Sequence, residues 1–367
     1  MKILHISDLH LGKKVHGFSM EEEQAHMLRQ VLDIISSHQV EMLLISGDIY
    51  DRSVPSESAT HMLDFFLEQL VARKIAVCMI SGNHDSAMRL QYGSSFFERS
   101  KIYISSVYDG KVKQVHYRNI DLFLIPFIKP VMVRPFFPDR EIVTYEEAMK
   151  AVLSTISFDP NTFHIALVHQ FISGSKTCDS EQKNIGGLDE IPASVFEAFD
   201  YVALGHLHSY QKVAENMVYC GTLLKYSVDE IKQEKCAVLL EISDTIHIET
   251  IPFRPLHDLV EIKGTYMDLT ERSFYKDLDR EDYYSVVLLD EYDVVNAQAK
   301  LQVIYPKILK LSYEKRKRYE KHSDEWIGSI EAMDPMTMIN SFYKEQNGQD
   351  LSSFQKQWIL DHWEDKE

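Results

Sequence analysis

Five clusters of acids, histidines and one asparagine punctuate the first 208 residues, and each follows a short apolar, β-branched run. Asp8 and His10 stand in Asp-Leu-His, and Asp48 stands in Gly-Asp-Ile-Tyr-Asp-Arg at 47–52. Asn83, His84 and Asp85 follow Gly82, His169 closes a later apolar run, and His206 and His208 stand in Gly-His-Leu-His at 205–208. A lone histidine at a strand end is more often structural than a ligand. Five such clusters in order constrain the chain far more tightly. Open α/β sheets place their sites at the carboxyl ends of strands, so neighbouring strands would bring all five to one cleft. Oxygen and imidazole donors without thiolates suit manganese, iron or zinc. Two such ions about 3.5–4 Å apart clamp the attacking and leaving oxygens of a phosphoester. Asp48, central in the set, is the natural carboxylate to bridge them. The alternation in Asp-x-His and His-x-His is expected to put both side chains on one side of an extended segment. Gly47, Gly82 and Gly205 are expected to turn the backbone sharply into the cleft.

The runs at 2–7, 41–46, 75–80, 120–126, 164–169 and 201–205 predict strands, and the amphipathic stretches at 21–37, 56–71 and 145–156 predict helices. Their alternation predicts an α/β fold. Beyond 205, the strand-like runs 217–220, 235–241, 245–252 and 259–262 have no long helix between them. They predict a second, mostly antiparallel sheet, and so an αββα two-sheet sandwich. Pro252 and Pro255 mark a boundary, after which a helix at 268–279 and strands at 282–290 and 301–306 form a small α+β module. A basic stretch at 311–322 leads to two helical patterns, 335–345 and 351–363, broken at Asn347-Gly348. The expected organisation is a main domain over 1–253, a small capping domain over 254–325 and a helical tail over 326–367. In the tail, Met336, Ile339, Phe342 and Tyr343 recur at helical spacing, and Leu351, Phe354, Trp358 and Trp363 do so more loosely. Little chain remains to bury them, which marks the tail as a candidate interaction surface.

Apolar residues make up 45% of the chain, enough for a sizeable core without disulfides. Cys78, Cys178, Cys220 and Cys236 show no Cys-x-x-Cys spacing and read as reduced thiols. The opening MKILHISDLH is too short an apolar run for a signal peptide, and no run approaches the roughly 20 residues that span a bilayer. A cytoplasmic protein without membrane contact is expected. The net charge of −17 counts against broad affinity for nucleic acid through this chain's own surface.

Together, Asp-Leu-His, Gly-Asp-Ile-Tyr-Asp-Arg, Gly-Asn-His-Asp, the isolated His169 and Gly-His-Leu-His resemble the five motifs of the calcineurin-like metallophosphoesterases. The opening Ile-Ser-Asp-Leu-His-Leu-Gly-Lys, the stretch at 47–56 and the added C-terminal region narrow the resemblance to the SbcD family of bacterial nuclease subunits. The resemblance implies a metallophosphoesterase sandwich with two divalent ions, manganese expected. One ion would be held by Asp8, His10, Asp48 and His208, the other by Asp48, Asn83, His169 and His206. It implies that His84 faces the scissile phosphate, oriented by Asp85, and that Asp51 stands where some relatives carry a histidine. It further implies exonuclease and hairpin-opening endonuclease action on DNA. The capping module would guide DNA, the tail would bind an SbcC-like ATPase in a two-plus-two heterotetramer, and a homodimer would form through 56–71 and 87–97. Two other classes fit the motifs: a nucleotide or small-molecule phosphodiesterase, and a scaffold that uses metals only for stability.

Overall fold

In the computed structural model, residues 1–178, 190–314 and 334–362 are described, and they fall into two compact units, Met1–Val260 and Glu261–Glu367. Trp363 and the basic stretch from 315 onward lie outside the described residues.

The first unit is built on two six-stranded sheets. In the first, the parallel strands Lys2–Ile6, Met42–Ser46, Ala76–Ile80 and Ile102–Ser105 lie side by side, and Cys236–Ile242 and Ile246–Pro252 extend it antiparallel beyond Lys2–Ile6. In the second, Ile120–Ile125, Phe163–His169, Tyr201–Gly205 and Met217–Tyr219 run parallel, flanked by the antiparallel edges Lys113–Tyr117 and Gln211–Ala214. Strands covered on both faces read as near-continuous apolar runs, and Met42–Ser46 and Ala76–Ile80 are buried throughout, with Ser46 the one polar residue of the two.

The sheets stack face to face. Ile3, Leu44, Cys78 and Ile80 of the first share one core with Leu122, Leu124, Ile165, Leu167 and Ala203 of the second. Outside the second sheet, Ala148, Met149 and Val152 of the helix Tyr145–Leu153 pack against Phe123, Ile125, Ala166 and Val202. Thr144 and Glu147 close a reciprocal capping box at the start of that helix. On the other side, the helix Glu57–Ala72, capped by Ser56, packs beside Glu21–His38 and on the Ala76–Ile80 strand. The architecture is the expected αββα sandwich, with one correction. The runs after 205 do not make a separate antiparallel sheet; Met217–Tyr219 joins the second sheet in parallel, and Cys236–Ile242 returns to pair with the N-terminal strand.

The second unit carries a three-stranded sheet, Leu259–Gly264, Tyr283–Leu288 and Lys307–Tyr313. The helix expected over 268–279 is two short ones, Tyr266–Thr270 and Arg272–Tyr275, separated by Glu271 in an extended conformation. The strand expected at 301–306 is also displaced. Leu301 ends the helix Ala297–Leu301, and the strand starts at Lys307, after Pro306, which has no N–H for a ladder. The described residues 334–362 carry two helices, Pro335–Asn347 and Ser353–Asp361.

Candidate metal centre

The five clusters meet at the carboxyl edges of both sheets. Asp8 and His10 leave the Lys2–Ile6 strand and are tied to the next turn by Asp8 N–H to the Gly47 carbonyl and His10 N–H to the Asp48 carbonyl, both 3.0 Å. Neither lies in an extended segment, contrary to the expected alternation. Asp8, His10, Asp48 and His206 all have positive φ, at 51°, 45°, 48° and 105°. Left-handed backbone at non-glycine residues costs energy and clusters at functional sites. The glycines also act differently from expectation. Gly47 alone of the three has positive φ, whereas a Cβ at Gly82 would overlap the Asp48 carboxylate and one at Gly205 the Ser46 carbonyl. Those two glycines serve close approach rather than turning.

The buried carboxylate of Asp48 stands between two groups of donors. On one side its Oδ2 lies 3.9 Å from His10 Nε2, which faces His208 Nε2 at 3.2 Å, and Asp8 joins this group. On the other, Oδ2 lies 3.4 Å from His169 Nε2, and Asn83 Oδ1 lies 3.0 Å from His169 Nε2 and 2.9 Å from His206 Nδ1. Two imidazole nitrogens directed at each other hold at most one proton between them, so lone pairs point into the gap. His169 Nδ1, the outer nitrogen, donates to the Ser46 carbonyl at 2.8 Å, which leaves Nε2 turned inward. Buried His10 Nδ1 has no hydrogen-bond partner. Converging carboxylate, amide and imidazole donors of this kind fit a pair of hard-to-borderline divalent ions.

Protonation follows from burial and mutual charge. Burial keeps His10 neutral and lowers His206 to about 3, the latter helped by His169, so both present the neutral form that binds metal. Burial opposes ionising Asp48, but His169, His10 and His84 outweigh it and hold the carboxyl well below its usual range. Burial likewise opposes charge on His169, yet Asp48, Asp8 and the Ser46 carbonyl raise it to about 9. Burial and nearby Asp48 push Asp8 up to about 6, against the pull of His169 and His208. An ion must displace these protons. Since both groups are raised in the metal-free protein, affinity increases with pH. It is expected to gain about one proton's worth per pH unit between 6 and 9, steepen below 6 as Asp8 also protonates, and level off above 9. Calorimetry with Mn2+ in buffers of different ionisation enthalpy counts the released protons; pH-independent affinity across that window would contradict the assignment.

His84 lines the cleft, 21% exposed, with Nε2 4.0 Å from Asp48 Oδ2 and its ring edge-on to His10. Its Nδ1 donates to the Asp51 carbonyl at 3.0 Å. Asp85 does not hold that ring. Its carboxylate accepts from the backbone N–H groups of Gly82 at 2.8 Å, Tyr50 at 2.9 Å and Ile49 at 3.1 Å. It therefore fixes the turn that carries His84 rather than the imidazole, a correction to the implied role. Asp51, set beside His10 Nδ1 at 3.8 Å, pairs with Lys13 Nζ at 2.7 Å, while Arg52 is largely exposed. Gln24 and Tyr226, which no motif signals, hold the 9–10 turn: Gln24 Nε2 donates to the His10 carbonyl at 2.7 Å and Tyr226 Oη to the Leu9 carbonyl at 3.0 Å. Each is a single polar residue without a motif partner, so no spacing could announce it.

This fold and this cluster define a class, and comparison with known proteins agrees. The calcineurin-like phosphoesterase profile matches residues 1–210, and the C-terminal profile SbcD_C, described as type 5 capsule protein repressor C-terminal domain, matches 255–347. The SbcD subunit of the nuclease SbcCD from Staphylococcus epidermidis is 34% identical over 98% of this chain and 97% of its own. Its namesake in Staphylococcus saprophyticus is 33% identical over 98% of this chain and 96% of its own. Among solved structures, a dimetal phosphatase from Danio rerio aligns over 68% of this chain and 95% of that one, at 11% identity and a TM-score of 0.41. The chain belongs to the calcineurin-like phosphoesterases and, within them, to the SbcD family, and is a hydrolase of phosphodiester bonds.

Proposed function

We propose that this chain is the metal-dependent nuclease subunit of an SbcCD-like complex, acting as a 3'→5' exonuclease on duplex DNA and as an endonuclease that opens hairpins. The role would lie in DNA repair, replication and recombination in the cytoplasm. The observation that carries the reading is full-length similarity to proteins named as nuclease subunits, together with the whole set of donors gathered in one cleft. Among the described residues, no helix is long and apolar enough to cross a membrane.

Asp8, His10, Asp48 and His208 would hold one ion and Asp48, Asn83, His169 and His206 the other, Mn2+ being the expected metal. When bound, the pair supplies Lewis-acid polarisation of the phosphodiester and an acidified attacking water. The chain's residues supply the rest. Asp48 reaches both halves of the site and would place one buried negative charge between the two dications, with Asp8 as a second carboxylate beside it. The carbonyl on His84 Nδ1 can only accept, so that nitrogen keeps its proton. In the imidazolium form Nε2 would hold the second proton, which passes to the departing oxygen and leaves the neutral ring. With manganese, the complex should cut plasmid and hairpin DNA. Turnover of bis-p-nitrophenyl phosphate without DNA cleavage would favour a small-molecule phosphodiesterase, and inertness towards both would favour a scaffold.

The tail is proposed to bind the ATPase. Its two helices are joined by the Gln355 Nε2–H to Tyr343 Oη bond at 3.0 Å, and the connection between them is tied back by Leu351 N–H to Asn340 Oδ1 at 2.9 Å. Phe342, Phe354 and Trp358 stay exposed, and aromatic anchors of this kind usually dominate interface energy. Deleting the residues after Asp334 is expected to spare manganese-dependent hydrolysis of a small diester, because every donor lies upstream. It should abolish capture of the ATPase in a pull-down. Undiminished capture would place the docking surface elsewhere. The exposed Phe65, Met88, Tyr92 and Phe96 support the proposed homodimer through the segments containing them.

A further inference from the structure

Behind His208 lies a buried ion pair that the motifs do not include. Glu230 sits in the turn Val228–Glu230 and Lys235 immediately precedes the strand Cys236–Ile242. Glu230 is fully buried and Lys235 nearly so. Lys235 Nζ reaches Glu230 Oε2 at 2.6 Å and, each at 2.8 Å, the His208 carbonyl, Thr222 Oγ1 and Gln233 Oε1. Glu230 Oε1 in turn faces His208 Nδ1 at 3.5 Å. The pair thus grips His208 at both its ring and its backbone.

Cys178, His208 and Glu230 bring donor atoms within 4.8 Å of one another, which could suggest a third cation site. The ammonium of Lys235 on the Glu230 carboxylate argues otherwise, since it already supplies the positive charge. A buried ion pair is also a poor source of stability, because desolvation consumes most of the attraction, whereas an apolar pair of similar volume does as well or better. What the carboxylate offers that an apolar side chain does not is an acceptor for His208 Nδ1–H. Carboxylates behind ligating histidines fix the tautomer and the ring, and their loss typically weakens metal binding 10–100-fold.

We infer that Glu230 is a positioning residue for the metal pair: held by Lys235, it accepts a hydrogen bond from the Nδ1–H of His208 and so turns the Nε2 lone pair towards His10 and Asp8. This rests on the reading of His208 as a ligand. The path of the chain makes the arrangement rigid. His208 follows a strand of the second sheet, and Lys235 opens a strand paired with Lys2–Ile6 in the first, so the pair ties the His208 loop to the sheet that delivers Asp8 and His10.

The test is Mn2+ binding to the full chain, read by calorimetry and by electron paramagnetic resonance, which separates exchange-coupled pairs from single ions. In Glu230→Gln the amide must offer either its NH2 to Lys235 or its NH2 to His208. One of the two Mn2+ sites is therefore expected to weaken about 10–100-fold, and the coupled signal to give way to a single-ion one. Two double variants separate positioning from packing. E230Q/K235M removes the ion pair but leaves an amide oxygen for His208, and should recover tighter binding than E230L/K235M, which leaves no acceptor. Equal affinities in the two doubles, two normal sites in E230Q, or failure of all three to fold would make the pair a structural tie only and overturn the inference. Asp48→Asn in the same assay keeps the two readings apart. If it retains both ions, the metal-pair reading itself fails. If it loses them while E230L/K235M keeps both, only the role of Glu230 fails.

Discussion

Asp48→Asn is expected to lose the coupled metal pair and, with it, phosphodiester hydrolysis. The Asp48 carboxylate reaches both donor groups, its Oδ2 lying 3.9 Å from His10 Nε2 and 3.4 Å from His169 Nε2. Its charge is secured by the three histidines around it despite complete burial. An amide of the same shape preserves the packing and the hydrogen bond from His84 N–H to Oδ1, 2.9 Å in the parent. It removes the negative charge that would hold two dications near each other. Losing a transition-state interaction worth several kcal/mol lowers turnover on the order of 10³-fold or more. The check is metal content by mass spectrometry alongside steady-state rates; two retained ions with near-parental turnover would remove Asp48 from its bridging position.

The second large effect separates chemistry from binding. His84→Gln is expected to keep both ions and the KM for DNA, while kcat falls by about 10²–10⁴-fold, the usual contribution of a positioned acid–base group. The role proposed for His84 is to handle a proton: its Nε2 lies 4.0 Å from Asp48 Oδ2 and its Nδ1 is anchored outward. Because His84 also lies near the His10 and Asp48 donors, metal content is the deciding control. Glutamine can still hydrogen-bond but cannot carry a proton to the leaving oxygen. Loss of a metal ion in this variant would show that His84 is a ligand.

The fold was readable because its parallel strands are buried on both faces and so appear as near-continuous apolar runs, as in Ala76–Ile80 and Tyr201–Gly205. Which sheet each later strand joins was not readable. Pairing of Cys236–Ile242 with Lys2–Ile6 spans more than two hundred residues, and nothing local encodes it. The same division holds at the site. The cluster residues stood out because chemistry needs those types after strands, and the structure brings them into one cleft. Their backbone did not stand out: aspartate and histidine tolerate left-handed φ better than most residues, but Asp8, His10 and Asp48 adopt it in turns that interlock through bonds of 3.0 Å, which nothing local encodes. Supporting groups such as Gln24, Tyr226 and the Glu230–Lys235 pair are single residues brought in by tertiary packing. Asp85 shows the reverse hazard, since the family resemblance implied that it orients His84, whereas its carboxylate accepts from the backbone of the turn instead.

Anomalous diffraction from crystals grown with Mn2+ is the most direct measurement of the central claim. Two manganese peaks about 3.5–4 Å apart, on either side of the Asp48 carboxylate, are predicted, one among Asp8, His10 and His208 and the other among Asn83, His169 and His206. A single peak at saturating Mn2+, or peaks outside this cluster, would contradict it.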